Sequence, residues 1–246
     1  MRNSLIQISS FVAGILLFFV IFPYFGNSVF SSVSDILSIN GREFDRIMES
    51  TVYTFYRFLA AIIIGYAFGI VLSLPCLISE IADSILSPWY TILRITPTIV
   101  WIPVLLTIPR SVMDMEYIPI VLGVVFSSLY VSMYIIKVVR NISDEEKIAM
   151  KAMKVNFTWK WKNCYLPRIL VSSVSSLKFG GSIAFILVIV GESLISVTPS
   201  LGSALVSYQT VMEKPPFWLT TIIISVLALI IFSLCGLLNK LTRTNE

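Results

Sequence analysis

The sequence predicts an all-α membrane protein with six transmembrane helices. Three observations carry that prediction. Only 13% of the 246 residues are charged, with a mean hydropathy of +0.89, whereas soluble domains average about 25% charged. Apolar runs of about 20 residues, the length needed to cross roughly 30 Å of hydrocarbon, recur along the chain. Lys and Arg are concentrated in one stretch. Residues 137–178 hold Lys137, Arg140, Lys147, Lys151, Lys154, Lys160, Lys162, Arg168 and Lys178, half of the 18 in the chain.

Taken in order, the first expected span is 5–25. Arg2 and the apolar run Phe11–Phe25 suggest a signal peptide, but the run ends in Pro23, Tyr24, Phe25, Gly26 and Asn27 with no small-x-small cleavage site, so it reads as a retained span. Residues 26–55 are mixed in character and predict a short interfacial helix, which gives a first unit of 1–45 and a main membrane domain of 46–240. The second span is 56–78. The third, 86–109, carries Arg94 and is interrupted by Pro97, Pro103 and Pro109. Proline removes an amide donor and clashes with the preceding turn. Broken backbone persists at membrane depth only where protein or a water-lined cavity satisfies it. This segment, with Arg94, Pro97 and Trp101, is therefore a candidate pathway wall, or else a kinked structural helix. Spans four to six are 118–136, 177–198 and 217–238.

Six spans put both termini on one side. Loops rich in Lys and Arg stay in the cytoplasm. The 137–176 loop and the tail with Lys240 and Arg243 outweigh Arg42, Arg46, Arg110 and Lys214 in the opposite loops, so both termini are expected inside a multi-pass cell membrane protein. The net charge of +4 follows this topology and comes with no nucleic-acid-binding motif. The partner implied directly is the lipid bilayer.

The chain has no histidine, which removes imidazole bases and H-E-x-x-H zinc sites. Cys76, Cys164 and Cys235 form no C-x-x-C pair and read as buried or interfacial thiols. No G-x-x-x-x-G-K-[ST] loop is present to hold nucleotide phosphates. No carboxylates cluster in the spans, so a membrane-embedded enzyme is disfavoured.

Glu192 is the only acidic residue inside an expected span. A carboxylate there must face protein or water. It is a gate or pathway residue near the outer end of span five, or a packing residue paired with Arg57 or Arg94. Ser193 and Ser182 could line a polar path, or bond their own backbone. Arg94 could attract an anionic solute, or sit paired or snorkelling near the cytoplasmic end. Gly180 and Gly181 allow close helix approach, within the chain or at a dimer seam.

Within the basic loop, Ser143 or Asp144 can cap a helix whose first turn holds Glu145 and Glu146. Ile148, Met150, Met153 and Val155 supply apolar surface at near-helical intervals, with Lys147, Lys151 and Lys154 on the other face. Phe157–Trp161 forms a second unit, and Leu166–Pro167 is expected to end the loop segment. On this pattern the loop lies on acidic lipid or docks into a soluble partner.

Four blocks in order resemble the permease subunits of ABC importers, in particular the nitrate, sulfonate, taurine and thiamine-precursor branch. They are Ser50–Gly69 with Arg57 and Gly65, Pro88–Pro103, Gly191–Gly202, and the loop core Ile148–Lys154 ahead of Leu166–Pro167. The loop block is degenerate: the family's glutamate falls on Ile148, with Glu146 two residues earlier, and its glycine falls on Lys154. The resemblance implies a type I ABC importer transmembrane-domain fold and a permease that is not itself an enzyme. It implies a second permease copy, an extracytoplasmic substrate-binding protein, and ATPase subunits that hold ATP and Mg, with no cofactor in this chain. It places ATPase docking on Glu146, Ile148, Ala149, Met150, Ala152, Met153, Lys154, Val155 and Asn156. The solute would be small and polar or anionic. The rival reading is a secondary transporter or channel working without an ATPase, against which no inverted repeat is found.

Overall fold

The structure, a computed structural model, describes residues 33–243. The expected span 5–25 lies outside the described residues. Every regular element among them is helical. Four helices are long and apolar enough to cross a membrane, or five if one sharply bent pair counts as a single span.

After a short helix α1 (Val33–Leu37), α2 runs from Gly41 to Ile78. Asn40 caps it by accepting a hydrogen bond from the Arg42 amide. The second expected span is thus the C-terminal part of a 38-residue helix, about 57 Å long at 1.5 Å per residue. The interfacial helix expected within 26–55 is largely the first turns of α2. No proline or glycine interrupts residues 42–64, so nothing stops the helix at the expected boundary.

Only Ser79 separates α2 from α3 (Glu80–Ile95), and its hydroxyl accepts from the Ala82 amide. The chain then breaks at Thr96–Pro97 and turns by 93° into a 3-10 turn (Thr98–Val100) and α4 (Trp101–Leu106). The third expected span is therefore two short helices at nearly a right angle. The cause is the one read from the sequence: Pro97 cannot donate to the preceding turn and biases Thr96 to its extended conformation (ψ 125°).

α5 (Ile118–Arg140) matches span four and extends it by one turn. α6 (Asp144–Ala152) and α7 (Phe157–Lys160) occupy the basic loop, followed by a π turn at Trp161–Tyr165. α8 (Leu166–Ile195) starts eleven residues before the expected span 177–198. Leu166–Pro167 does not end the loop segment: the helical path runs on from Phe157 to Ile195, and across the π turn the Leu166 amide donates to the Trp161 carbonyl just ahead of Pro167. The short α9 (Leu201–Thr210) follows, then α10 (Lys214–Arg243), which contains span six.

The centre of the molecule is a layer of α2, α5 and α8. Their backbones approach closely because small residues meet. A methyl group at Gly69 would lie 2.6 Å from Val131, and one at Gly123 would lie 2.7 Å from Ala61. Between apolar helices in lipid, such contact supplies the association energy that water would otherwise provide. Gly180 packs on Val131 and Gly181 faces Cys235, so both contact helices of this chain. Tyr66 donates to Ser173 at 2.8 Å and ties α2 to α8. Most buried serines of α5 and α8, Ser132 and Ser176 among them, donate to their own helix backbone. All three cysteines are free thiols, Cys76 buried and the others partly so.

Candidate functional site

The expected site residues fall into two groups at opposite ends of the molecule. Arg168 and Glu192 sit on the same helix α8; 24 residues separate them, about 36 Å of helix. The end holding Lys137, Arg140 and α6 is the basic end.

At the basic end, α6 is a separate nine-residue helix between α5 and α8. Ser143 caps it, its hydroxyl accepting from the Glu146 amide at 3.2 Å. The helix ends at Ala152, one turn earlier than the apolar spacing suggested. Met153 and Val155 therefore lie beyond it, in the turn to α7. Ile148 and Met153 are 66% and 62% exposed. Met150, Lys154 and Val155 instead line a cleft of about 810 Å³ facing Glu80, Asp83 and Arg140. Asn156 caps α7, accepting from the Trp159 amide at 2.9 Å.

Lys154 has φ of +47°. That is the left-handed region, which costs an ordinary L-residue about 1–2 kcal/mol. The degenerate loop block thus places a lysine where the backbone asks for glycine. The turn survives with lysine, and it sets where α6 stops.

Glu146 accepts two bonds from Arg168 Nη2, at 2.6 and 2.8 Å. This pair joins the first turns of α6 and α8. At 49% and 28% exposure it adds little stability; its effect is to hold the loop helix against a spanning helix. Arg140 pairs with Asp83 and donates to the Cys76 carbonyl, fastening the end of α5 to the α2–α3 elbow.

At the opposite end, Glu192 is fully buried and its partner is Arg57, at 3.0 Å, not Arg94. Thr54 donates to the same carboxylate at 2.9 and 3.1 Å, and the Gly202 amide donates at 3.3 Å. Thr54 also accepts from the Leu201 amide, and Arg57 donates to the Pro199 carbonyl, both at 2.9 Å. A buried carboxylate is tolerated only when paired and hydrogen-bonded. Here it meets a guanidinium, a hydroxyl and the first turn of α9, whose free amides favour an anion. The cluster locks α9 against α8 and α2. Gly202 is required, since a methyl group there would lie 2.5 Å from the Ile189 carbonyl.

Sequence reasoning named Arg57 and Glu192 but missed Thr54, Pro199 and Gly202 as their partners. Thr54 and Arg57 are three apart and share a helix face, which was a usable signal. The Pro199 and Gly202 contacts come from a turn whose path no local pattern specified.

The remaining candidates are dispersed. Arg94 borders a cavity with Lys137 and Arg168. Pro97 marks the bend, and Trp101 begins α4 with its indole Nε1 buried and without a hydrogen-bond partner among the described residues. Ser193 donates to the Ile189 carbonyl of its own helix at 2.8 Å. The described residues hold no group of three or more His, Cys, Asp or Glu side chains able to take a metal.

Three comparisons bear on identity. No curated protein matches the chain. Among solved structures, an amino acid ABC transporter crystallised with histidines is similar in fold, with a TM-score of 0.67 at 16% identity, over 81% of this chain and 95% of that one. The model of the binding-protein-dependent transport system inner membrane component family matches residues 61–244, from α2 to the end of α10. The bent α3–α4 pair, the central α2–α5–α8 layer and the α8–α9 turn all lie within that match, and the chain belongs to the family of binding-protein-dependent transport inner membrane components, the permeases of ABC importers.

Proposed function

We propose that this chain forms the membrane path of an ATP-driven importer and is driven through α6. Family membership implies an ATPase and a substrate-binding protein as partners. The observation that carries the docking assignment is α6 itself. It stands apart from the bundle, presents exposed Ile148 at its centre and Met153 just past its end, and is held to α8 by Glu146–Arg168. Exposed apolar side chains such as these suit a groove on a soluble subunit, and thioethers adapt to its shape. The Glu146–Arg168 pair then carries displacement of α6 to the foot of α8.

In this reading the basic end is cytoplasmic, both termini lie inside, and a second copy of the chain completes the path. The solute is small and polar or anionic. The bent segment borders the path through Pro97 and Trp101, with Arg94 at its cytoplasmic foot, off the path. Glu192 and Ser193 belong to the outer lock, which must hold or shift as the path opens.

Deleting 148–156 tests the docking assignment. The expected result is normal membrane insertion with no co-purifying ATPase; a deletion mutant that still assembles and transports contradicts it. A milder probe is Arg168→Gln, which removes the pair from its α8 side, outside the docking residues, and should leave ATPase binding intact while lowering solute moved per ATP hydrolysed. A self-sufficient secondary transporter would instead move solute into liposomes without ATP.

A further inference from the structure

We propose that the cavity between α3, α5 and α8 at the basic end is a binding site for one anionic phospholipid. Its volume is about 860 Å³. Arg94 at the end of α3, Lys137 near the end of α5 and Arg168 in the first turn of α8 all border it. Neither Arg94 nor Lys137 forms an ion pair with a described residue, and the acid that pairs with Arg168 is Glu146. Among the described residues, three cations against one carboxylate leave the cavity with an excess of two positive charges.

Apart from Asn141, the rest of the wall is apolar and aromatic. Tyr134 and Phe179 lie with ring centroids 5.8 Å apart, and Val138 adjoins them. Phe179 is 54% exposed and Val138 36%, so this wall faces outward as well as into the cavity. A charged rim beside an open apolar flank fits a phosphate attached to hydrocarbon. A free inorganic anion would use the rim and gain nothing from the flank, and the cavity far exceeds its size. A second copy presenting the same surface about a two-fold axis would bring like charges together.

Basic pockets between spanning helices on the cytoplasmic side bind anionic head groups, each Lys or Arg adding to the attraction. Here Arg94 and Lys137 would hold the phosphate, and an acyl chain would run along Val138 and Phe179. The lipid would then bridge the bent third segment to α5 and α8 through Arg94. The proposal rests on the basic end facing the cytoplasm. Binding is measured without ATP and without sidedness, so failure of the lipid site and failure of the transport reading give separate results.

The test uses the full chain purified in detergent, with retained lipid counted by native mass spectrometry. Phosphatidylglycerol should be retained over phosphatidylcholine by roughly tenfold to thirtyfold, the effect of two cations at a membrane surface. Arg94→Gln with Lys137→Gln should abolish the preference, while Arg94→Lys with Lys137→Arg keeps it. Both side chains are exposed, so the glutamine variant should melt as the parent does. The proposal is overturned if the glutamine variant retains phosphatidylglycerol like the parent, or if the two lipids bind alike. Displacement of the lipid by millimolar inorganic phosphate would overturn it in favour of a free-anion site. Cross-linking between copies through Val138→Cys or Phe179→Cys would overturn it in favour of a subunit seam.

Discussion

Arg57→Met tests the lock that holds α9 to the bundle. At the 3.0 Å separation of Arg57 and Glu192, two unit charges attract by about 5 kcal/mol at an effective dielectric of ~20. Removing the guanidinium leaves the carboxylate with Thr54 and the Gly202 amide alone, and breaking one side of a buried pair costs about 3–5 kcal/mol. Glu192→Gln keeps the acceptor for Thr54 and Gly202 and loses the charge, at about 2 kcal/mol. The double variant removes both charges and should cost only ~2 kcal/mol, chiefly the bond to Pro199. The cycle therefore predicts a coupling of about 3–5 kcal/mol. Unfolding of the purified chain in detergent, followed by tryptophan fluorescence, reads this out. Arg57→Met should lower the midpoint by ~10 °C, and adding Glu192→Gln should restore about half of that loss. Additive single effects, with coupling below ~0.5 kcal/mol, would refute the assignment of Arg57 as the charge that makes Glu192 tolerable.

Lys154→Gly relieves a left-handed residue, and the gain outweighs the extra freedom of the unfolded chain by about 0.5–1 kcal/mol. Lys154→Val goes the other way, so melting temperatures should rank Gly above Lys above Val at this position; Gly falling below Lys would show that the turn is unstrained. Gly202→Ala drives a methyl group into the α8 backbone and should destabilise by about 1–3 kcal/mol, with hydrogen exchange increased in α9 more than in α5. Tyr208, on α9 outside the spans, has its phenol pushed up from the ordinary value by burial, reinforced by Glu43 and Glu213 and offset by Arg46. Its contribution is present below the unfolded pKa and is lost as pH rises through the folded one. Tyr208→Phe should therefore lose less stability than the parent on going above pH ~10, an alkaline melting comparison.

Much of the architecture was legible in the primary structure. Burial in lipid demands long apolar runs, and those runs located α2, α5, α8 and α10. Pro97 announced the break between α3 and α4, since a missing amide has the same consequence in any surroundings. The placement of Lys and Arg marked the basic end, and the lone intramembrane acid marked Glu192. Tertiary structure decided the rest. Whether Leu166–Pro167 closed the loop or lay within a helical path running on into α8 depended on the packing of residues 168–176 against α2 and α5. Whether Glu192 met Arg57 or Arg94 depended on the turn to α9, which carries Pro199 and Gly202 to the same point. Arg94, Lys137 and Arg168 come from three helices, so their common cavity exists only once those helices have packed. Hydropathy and proline act on the chain locally, whereas charges distant in sequence find their partners only through the geometry of the assembled bundle.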